Sequence, residues 1–402
     1  MSKFGASSEL VRFLVLFATL YLAFGVASPF LPAFFASRGL GPEQIGLVLS
    51  LTTFIRLISG PLAGRMADHL HALRVVLATC AAAAGAIVLI LLQILDFSTL
   101  LITALLHAAL LAPTTILADA LALGNASRPG VAGPRFEYGW VRGAGSAAFI
   151  VGSLICGQMV DLLGLAVALA CQATLLVLAA AAALLVPELM PRDPHVTGPA
   201  RSESHFRDLW QNRAYLYLIL AAAPILGSHA MHDSFAMIIW NASGISSSVG
   251  SILWSESVAA EVVVFFFLGP FLLRRLKPVA GIAIAAIAAA IRWTVMAQTS
   301  SGVALAIVEP LHGLSFALLH LSCMRVLVRI VPSDLAATAQ ATYAFGAGAM
   351  TSILMLISGF LYTEFGSGGF LMMAGLALGS LPAVWTLYRV QRAEPRSYGE
   401  SV

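Results

Sequence analysis

The stretch SILWSESVAAEVVVFFFLGP, residues 251–270, decides how the chain folds. It is long enough to cross the hydrocarbon core of a bilayer as one α-helix, and most of its residues are apolar. It also carries two carboxylates, Glu256 and Glu261, although an ionisable group near the middle of a membrane costs about 2.5–3.5 kcal/mol. These side chains are therefore expected to face a partner or a water-filled path, which makes them candidates for functional residues.

The composition extends this interpretation to the whole chain. Of the 402 residues, 59% are hydrophobic and 10% are charged, whereas about a quarter of the residues in soluble domains are charged. Such a chain cannot cover a globular surface with polar groups, so the composition predicts a membrane protein surrounded by a lipid bilayer. The net charge of +3 comes from basic residues in short loops, which is typical of membrane topology and predicts no nucleic-acid partner.

Long apolar runs recur along the chain and predict about twelve membrane-spanning helices in an all-α protein. Helices are expected because lipid offers no hydrogen-bond partner to backbone N–H and C=O groups. The four cysteines fall inside these runs and are expected to pack as small apolar residues. The predicted helices cover residues 10–36, 42–64, 74–95, 98–123, 138–161, 164–187, 213–240, 247–273, 278–298, 302–329, 334–362 and 366–390.

The longest polar interruption, residues 188–212, divides the chain into two halves. The sequence predicts a six-helix bundle at 1–187, a cytoplasmic linker at 188–212 and a second six-helix bundle at 213–402. Three short segments of the first half recur in order in the second half, which indicates a duplication and two pseudo-symmetric bundles. The matching segments are QIGLVL at 44–49 and SVGSIL at 248–253, GPLAGR at 60–65 and GPFLLRR at 269–275, and GQMVDLLG at 157–164 and GFLYTEFG at 359–366.

The distribution of lysine and arginine predicts the orientation in the membrane. If the N-terminus lies in the cytoplasm, nearly all loop cations fall on the cytoplasmic side, and the other side receives only Arg38. Loops that stay in the cytoplasm carry an excess of lysine and arginine. The sequence therefore predicts a multi-pass protein with both termini in the cytoplasm.

Two sets of motifs resemble known transporters. The segment GRMADH at 64–69 is similar to the loop signature of the major facilitator superfamily, with Asp68 at its acidic position, although residues 71–73 depart from that signature. Longer segments resemble the phenylpropionate-permease group, which is related in architecture to lactose permease and nucleoside–proton symporters. They are LADALA at 117–122, YGWVRGAGSAAFIVGS at 138–153, GSHA at 227–230, ILWSESVAAEVVVF at 252–265, IRW at 291–293 and LHG…LLHLSCMR at 311–325.

This resemblance implies a major facilitator fold that works by alternating access in a bacterial inner membrane, as a monomer without cofactor or metal. The expected function is proton-coupled uptake of a small organic acid, with an aromatic acid as the first candidate. Two alternatives stay open: proton symport of a neutral solute, such as a nucleoside, sugar or peptidoglycan fragment, and efflux by an antiporter. The sequence has no GxSxG or HExxH motif, so an enzyme is not expected.

Charged residues inside the predicted helices are the candidates for proton coupling. Eight unpaired charges in a membrane would cost more than a typical folding free energy, so most of them must be paired, protonated or hydrated. We expect Arg292 to pair with Glu261 in preference to Glu309, and His312 to relay the proton, because the unperturbed pKa of histidine lies near neutrality. The predicted coupling set is Glu261, Arg292, Glu309, His312 and His320.

Other polar and aromatic residues are candidates for a gate and for a substrate cavity. Asp119 and Arg142 lie near the cytoplasmic ends of neighbouring predicted helices, so we expect an ion pair that acts as a clamp or gate, together with Asp68. The segment HAMHD at 229–233 is a weak metal signal and is interpreted as cavity lining or helix-to-helix hydrogen bonding. The predicted cavity set, for which packing roles stay open, is Tyr21, Phe24, Arg142, His229, Asp233, Trp254, Trp293 and Tyr343.

Overall fold

A computed structural model describes residues 2–127, 129–130, 133–134, 136–188 and 206–393. Nearly all of these residues are helical. In the first half, two strands of two residues each, β1 (Pro129–Gly130) and β2 (Gly133–Pro134), pair antiparallel between long helices. The α-helices of this half are α1 (Ser2–Ala27), α2 (Leu31–Ser37), α3 (Pro42–Leu70), α4 (Leu73–Leu91), α5 (Phe97–Ala126), α6 (Tyr138–Leu163) and α7 (Ala166–Leu185).

The helices of the second half are more often interrupted. Short 3₁₀ turns occur at Glu309–Leu311, Ser333–Leu335 and Gly366–Gly369, and π-helical segments occur at Val264–Leu268 and Gly313–Leu318. The α-helices are α8 (Phe206–Gln211), α9 (Arg213–Gly227), α10 (Ala230–Ala242), α11 (Ser247–Val263), α12 (Gly269–Arg275), α13 (Pro278–Gln298), α14 (Gly302–Val308), α15 (Leu319–Ile330), α16 (Ala336–Phe365), α17 (Phe370–Gly379) and α18 (Leu381–Ala393).

Within the described residues, 11 segments are long and apolar enough to cross a membrane. The last of them, Ala336–Arg392, has 57 residues, whereas roughly 20 helical residues span a bilayer. A 3₁₀ turn at Gly366–Gly369 interrupts it, and Gly366 has a φ of 54°, which favours glycine. The segment is therefore long enough for two crossings, and the expectation of an all-α protein with about twelve membrane helices is confirmed.

Contacts within the chain divide it into two compact units. The first unit contains Met1–Arg192 and Trp240–Ser255, and the second contains Asp193–Ile239 and Glu256–Val402. The predicted domain limits at residues 187 and 213 stay predictions. Residues 189–205 of the predicted linker lie outside the described residues.

A polar contact holds residues 240–255 in the first unit. The carboxylate of Asp161, near the end of α6, accepts hydrogen bonds from the backbone N–H groups of Ser247 and Ser248 at 2.8 and 2.9 Å. One turn earlier in α6, a Cβ on Gly157 would lie 2.2 Å from the hydroxyl oxygen of Ser251. A glycine at this position therefore permits the close approach of α6 and α11.

Irregular segments in the second unit determine where its charged side chains point. Pro310 lies in the 3₁₀ turn after α14 and cannot donate a backbone hydrogen bond. The π-helical segment Gly313–Leu318 follows it, and a second one, Val264–Leu268, separates α11 from α12. Single π-helical turns occur frequently at functional sites, and these two flank the polar side chains described next.

Candidate functional site

A buried ion pair lies at the centre of the candidate site in the second unit. Arg292 on α13 and Glu309, directly after α14, both have side chains that are 0% exposed. Arg292 Nη2 donates to Glu309 Oε2, and the hydroxyl of Ser257 on α11 donates to the same oxygen. Because removing one charge of a buried pair leaves the other uncompensated, these two side chains depend on each other.

His312 connects this ion pair to Glu261. Arg292 Nη1 lies 3.2 Å from His312 Nδ1, and a guanidinium has only donors, so Nδ1 must be the accepting nitrogen. In the neutral ring the proton is then on Nε2, which lies 3.6 Å from Glu261 Oε2. The side chain of Glu261 is 26% exposed, so this branch joins the buried pair to an accessible carboxylate.

His232 forms a second branch from the same pair. Its Nδ1 lies 3.2 Å from Asp233 Oδ1 and can donate to this carboxylate, which is 42% exposed. Its Nε2 lies 3.2 Å from Arg292 Nη2 and 3.3 Å from Glu309 Oε1. The neutral ring can therefore accept from Arg292, and the protonated ring can donate to Glu309, without any movement.

Aromatic rings and hydroxyl groups hold the central side chains in place. The guanidinium of Arg292 lies 4.6 Å from the ring centroid of Trp293, whose Nε1 donates to the hydroxyl of Ser228 at 2.9 Å. His229 Nε2 is 3.0 Å from the hydroxyl of Ser315, and its ring packs edge-on against Trp293 with centroids 5.1 Å apart. This packing fixes the orientation of the groups around the buried pair.

The structure corrects the expected pairing of Arg292. Its carboxylate partner is Glu309, and Glu261 contacts His312 instead. The prediction placed these residues on regular helices, whereas the 3₁₀ turn at Glu309 and the π-helical segment after His312 change the directions of their side chains. His232 was missed as a member of the set, although HAMHD placed it directly before Asp233.

Three other predicted residues lie outside these contacts. His320 on α15 packs against the ring of Phe265, with centroids 5.9 Å apart and the rings edge-on. Tyr343 on α16 is buried, and Trp254 on α11 is partly buried. A coupling role for His320 and a cavity role for Tyr343 and Trp254 stay predictions.

The predicted gate residues lie in the first unit. Asp119 accepts a hydrogen bond from the hydroxyl of Tyr138 at 2.8 Å. The guanidinium of Arg142 lies 4.8 Å from the ring centroid of Tyr21, and the rings of Tyr21 and Phe24 are 6.0 Å apart. The ion pair of Asp119 with Arg142 stays a prediction. So does the gating role of Asp68, which is exposed near the end of α3.

Gly313 sets the distance between the two helices that carry Glu261 and His312. A Cβ on Gly313 would lie 2.6 Å from the backbone oxygen of Ala260 and 2.8 Å from Val264 Cγ2. We expect Gly313→Ala to separate the helices at a cost of about 1–3 kcal/mol and to change the pH profile of transport. The control is Gly302→Ala, because a Cβ there meets nothing within 4 Å. Equal pH profiles for the two variants would contradict this role.

Comparison with known proteins shows the family. Residues 10–372 match the MFS_1 like family, which covers both units. The chain belongs to this family. A relative from Escherichia coli (strain K12), the probable 3-phenylpropionic acid transporter, is 32% identical over 378 residues, covering 90% of this chain and 93% of that protein. This MFS protein is thus a multi-pass membrane transporter of a family whose members are not enzymes, as predicted.

Solved structures of transporters resemble the MFS protein over almost its whole length. A variant of the nucleoside transporter NupG has a TM-score of 0.80 at 19% identity, covering 94% of this chain and 99% of that one. A variant of the peptide transporter POT in complex with alafosfalin has a TM-score of 0.73 at 12% identity, covering 96% and 95%. At these identities the likeness shows the major facilitator fold alone.

Proposed function

We propose that the MFS protein is a proton-coupled symporter that takes up a small aromatic carboxylic acid. The observation that carries this proposal is the buried Arg292–Glu309 pair with an imidazole on each side, His232 and His312. Each imidazole joins the pair to a partly exposed carboxylate. A connected set of titratable groups inside membrane helices is typical of a proton pathway. The description of the 32% identical relative as a probable 3-phenylpropionic acid transporter supports an aromatic acid as the substrate.

Glu261 is the proposed proton acceptor. Glu261 is the accessible end of the His312 branch. His312 is the less suitable acceptor, because a proton on its Nδ1 would face the N–H groups of Arg292 at 3.2 Å. In the proposed mechanism, proton uptake by Glu261 and binding of the substrate favour each other by the same factor, as thermodynamic linkage requires.

Arg142 is the proposed anchor for the substrate carboxylate. Arg292 is 0% exposed and already contacts Glu309, so a substrate cannot reach it in this structure. Arg142 is partly exposed, and its guanidinium lies beside the ring of Tyr21, with Phe24 next to it. A guanidinium binds a carboxylate through two parallel hydrogen bonds, and neighbouring aromatic rings suit the ring of an aromatic acid.

Transport by purified protein in lipid vesicles tests the proposed function. Uptake of 3-phenylpropionate, a nucleoside and a sugar is compared with and without a pH gradient, alkaline inside. We expect the gradient to drive accumulation of 3-phenylpropionate alone. Protein-free vesicles give the background, because the protonated acid itself crosses bilayers. Gradient-driven uptake of the nucleoside or sugar would favour a neutral solute, and stimulation by an opposite gradient would favour an antiporter.

The protein is proposed to lie in a bacterial inner membrane with both termini on the cytoplasmic side. A cysteine added at Ser243, exposed after α10, or at Ser202, in the predicted cytoplasmic linker, reports on one of the two sides. We expect a membrane-impermeant maleimide to label Ser243→Cys in intact cells and Ser202→Cys only after the membrane is opened, because lysine and arginine favour the cytoplasm. The native protein is the labelling control, and the reverse pattern would contradict the orientation.

A further inference from the structure

A group of exposed cations lies at the ends of three helices of the second unit. Two of them end α12, one precedes α13, and two lie near the end of α18. Among the described residues, none of them forms an ion pair with an acidic side chain. We name this group the basic cluster, and its members are Arg274, Arg275, Lys277, Arg389 and Arg392.

Aromatic rings hold three of these cations in place. The guanidinium of Arg275 lies 4.5 Å from the ring centroid of Phe271. Lys277 Nζ and the guanidinium of Arg392 lie 5.6 and 5.0 Å from the centroid of one ring, Tyr388. Because two cations share a ring, like charges are held close together, and an anion between them would relieve their repulsion. Stacked side chains also lose less conformational freedom when a ligand binds.

Exposed apolar side chains adjoin the basic cluster. Phe271 is 43% exposed and Phe267, before it in the chain, is 72% exposed, so an apolar surface leads along the helix to Arg275. Trp385 is 60% exposed, and its ring lies 6.0 Å from that of Tyr388. Tryptophan and tyrosine are enriched where membrane helices meet the headgroup region. A soluble anion would contact the cations alone. A lipid would contact the cations with its headgroup and the apolar side chains with its acyl chains.

We propose that the basic cluster binds the headgroup of an anionic phospholipid, with an acyl chain along Phe267 and Phe271. The phosphate would lie among Arg275, Lys277 and Arg392, at the depth where these spans end. The cluster also lies on the side that the lysine and arginine distribution assigns to the cytoplasm, where anionic lipids attract basic segments next to a membrane. This proposal does not depend on the transported substrate or on proton coupling.

Native mass spectrometry of the delipidated full-length protein tests this site. The probes are phosphatidylglycerol, phosphatidylcholine with the same acyl chains, and inorganic phosphate. We expect tighter binding of phosphatidylglycerol. The triple variant Arg275→Gln, Lys277→Gln, Arg392→Gln should lose about fivefold in affinity per cation removed, or about a hundredfold in all. Tyr388→Leu, which keeps every charge, should weaken binding by a smaller factor.

The control variant removes three other exposed cations that the sequence places on the same side: Arg65→Gln, Arg207→Gln and Arg213→Gln. None of the three stacks on a ring in the part of the chain that the structure describes. We expect this control variant to bind phosphatidylglycerol with the same affinity as the native protein. Equal losses in both triple variants, equal binding of the two lipids, or displacement of phosphatidylglycerol by millimolar phosphate would each overturn the proposal.

Discussion

Replacing Glu309 by glutamine is expected to remove most of the folded protein. The side chain of Arg292 is 0% exposed. The change leaves its guanidinium buried without the Glu309 carboxylate that compensates its charge. Breaking a buried ion pair in this way costs about 3–5 kcal/mol, a large part of the roughly 5–15 kcal/mol that stabilises a typical protein. The measurement is the fraction of monodisperse protein in detergent and its thermal unfolding midpoint.

Two comparisons make this result specific. Glu256→Gln changes the same kind of side chain on α11, where no ion pair to a described residue is present, and should fold normally. The double variant Arg292→Met, Glu309→Gln removes both charges and should recover folded protein but not transport. Native-like folding of Glu309→Gln, or a double variant less stable than the single one, would contradict the role of this pair.

Replacing Glu261 by glutamine is expected to abolish uphill accumulation of substrate. Glutamine keeps the size of the side chain but cannot take up a proton, so the coupling proposed for this residue is lost. With one proton per substrate, a pH difference of one unit stores about 1.4 kcal/mol and can drive about tenfold accumulation. In the variant the accumulation ratio should fall to the background of protein-free vesicles.

Exchange of labelled for unlabelled substrate separates loss of coupling from loss of binding. Exchange at equal concentrations needs no proton release, so Glu261→Gln should retain it, whereas Arg142→Gln should lose it. Glu256→Gln is again the control and should accumulate substrate like the native protein, because Glu256, a candidate from the sequence, forms no ion pair with a described residue. If Glu261→Gln still concentrates substrate, the proton lies elsewhere, and His232 with Asp233 becomes the next pair to change.

The membrane helices were predictable because each crossing needs a long apolar run, and the composition provides them clearly. The structure has 11 such segments among the described residues, because α16, α17 and α18 follow one another with only a 3₁₀ turn and one residue between them and count as one. The division at Gly366 depends on local backbone conformation, with a φ of 54°. The predicted helices 334–362 and 366–390 already place a boundary beside this turn, within a few residues of the end of α16 at Phe365.

The pairing inside the site was less predictable than the set of residues. Sequence identified Arg292, Glu261, Glu309 and His312 as one group because charges in apolar runs require partners. It did not identify which carboxylate contacts Arg292. That choice depends on the 3₁₀ turn and the π-helical segment that follow α14, and neither has a periodicity that hydrophobic patterns can predict.

The number of protons taken up when substrate binds tests the central claim most directly. Isothermal titration calorimetry of purified protein with 3-phenylpropionate, in buffers of different ionisation enthalpy, measures it without a membrane and without leakage. At pH 8 we expect uptake of about one proton per substrate through linkage, and none in Glu261→Gln. A binding enthalpy that is the same in every buffer for the native protein would contradict proton coupling.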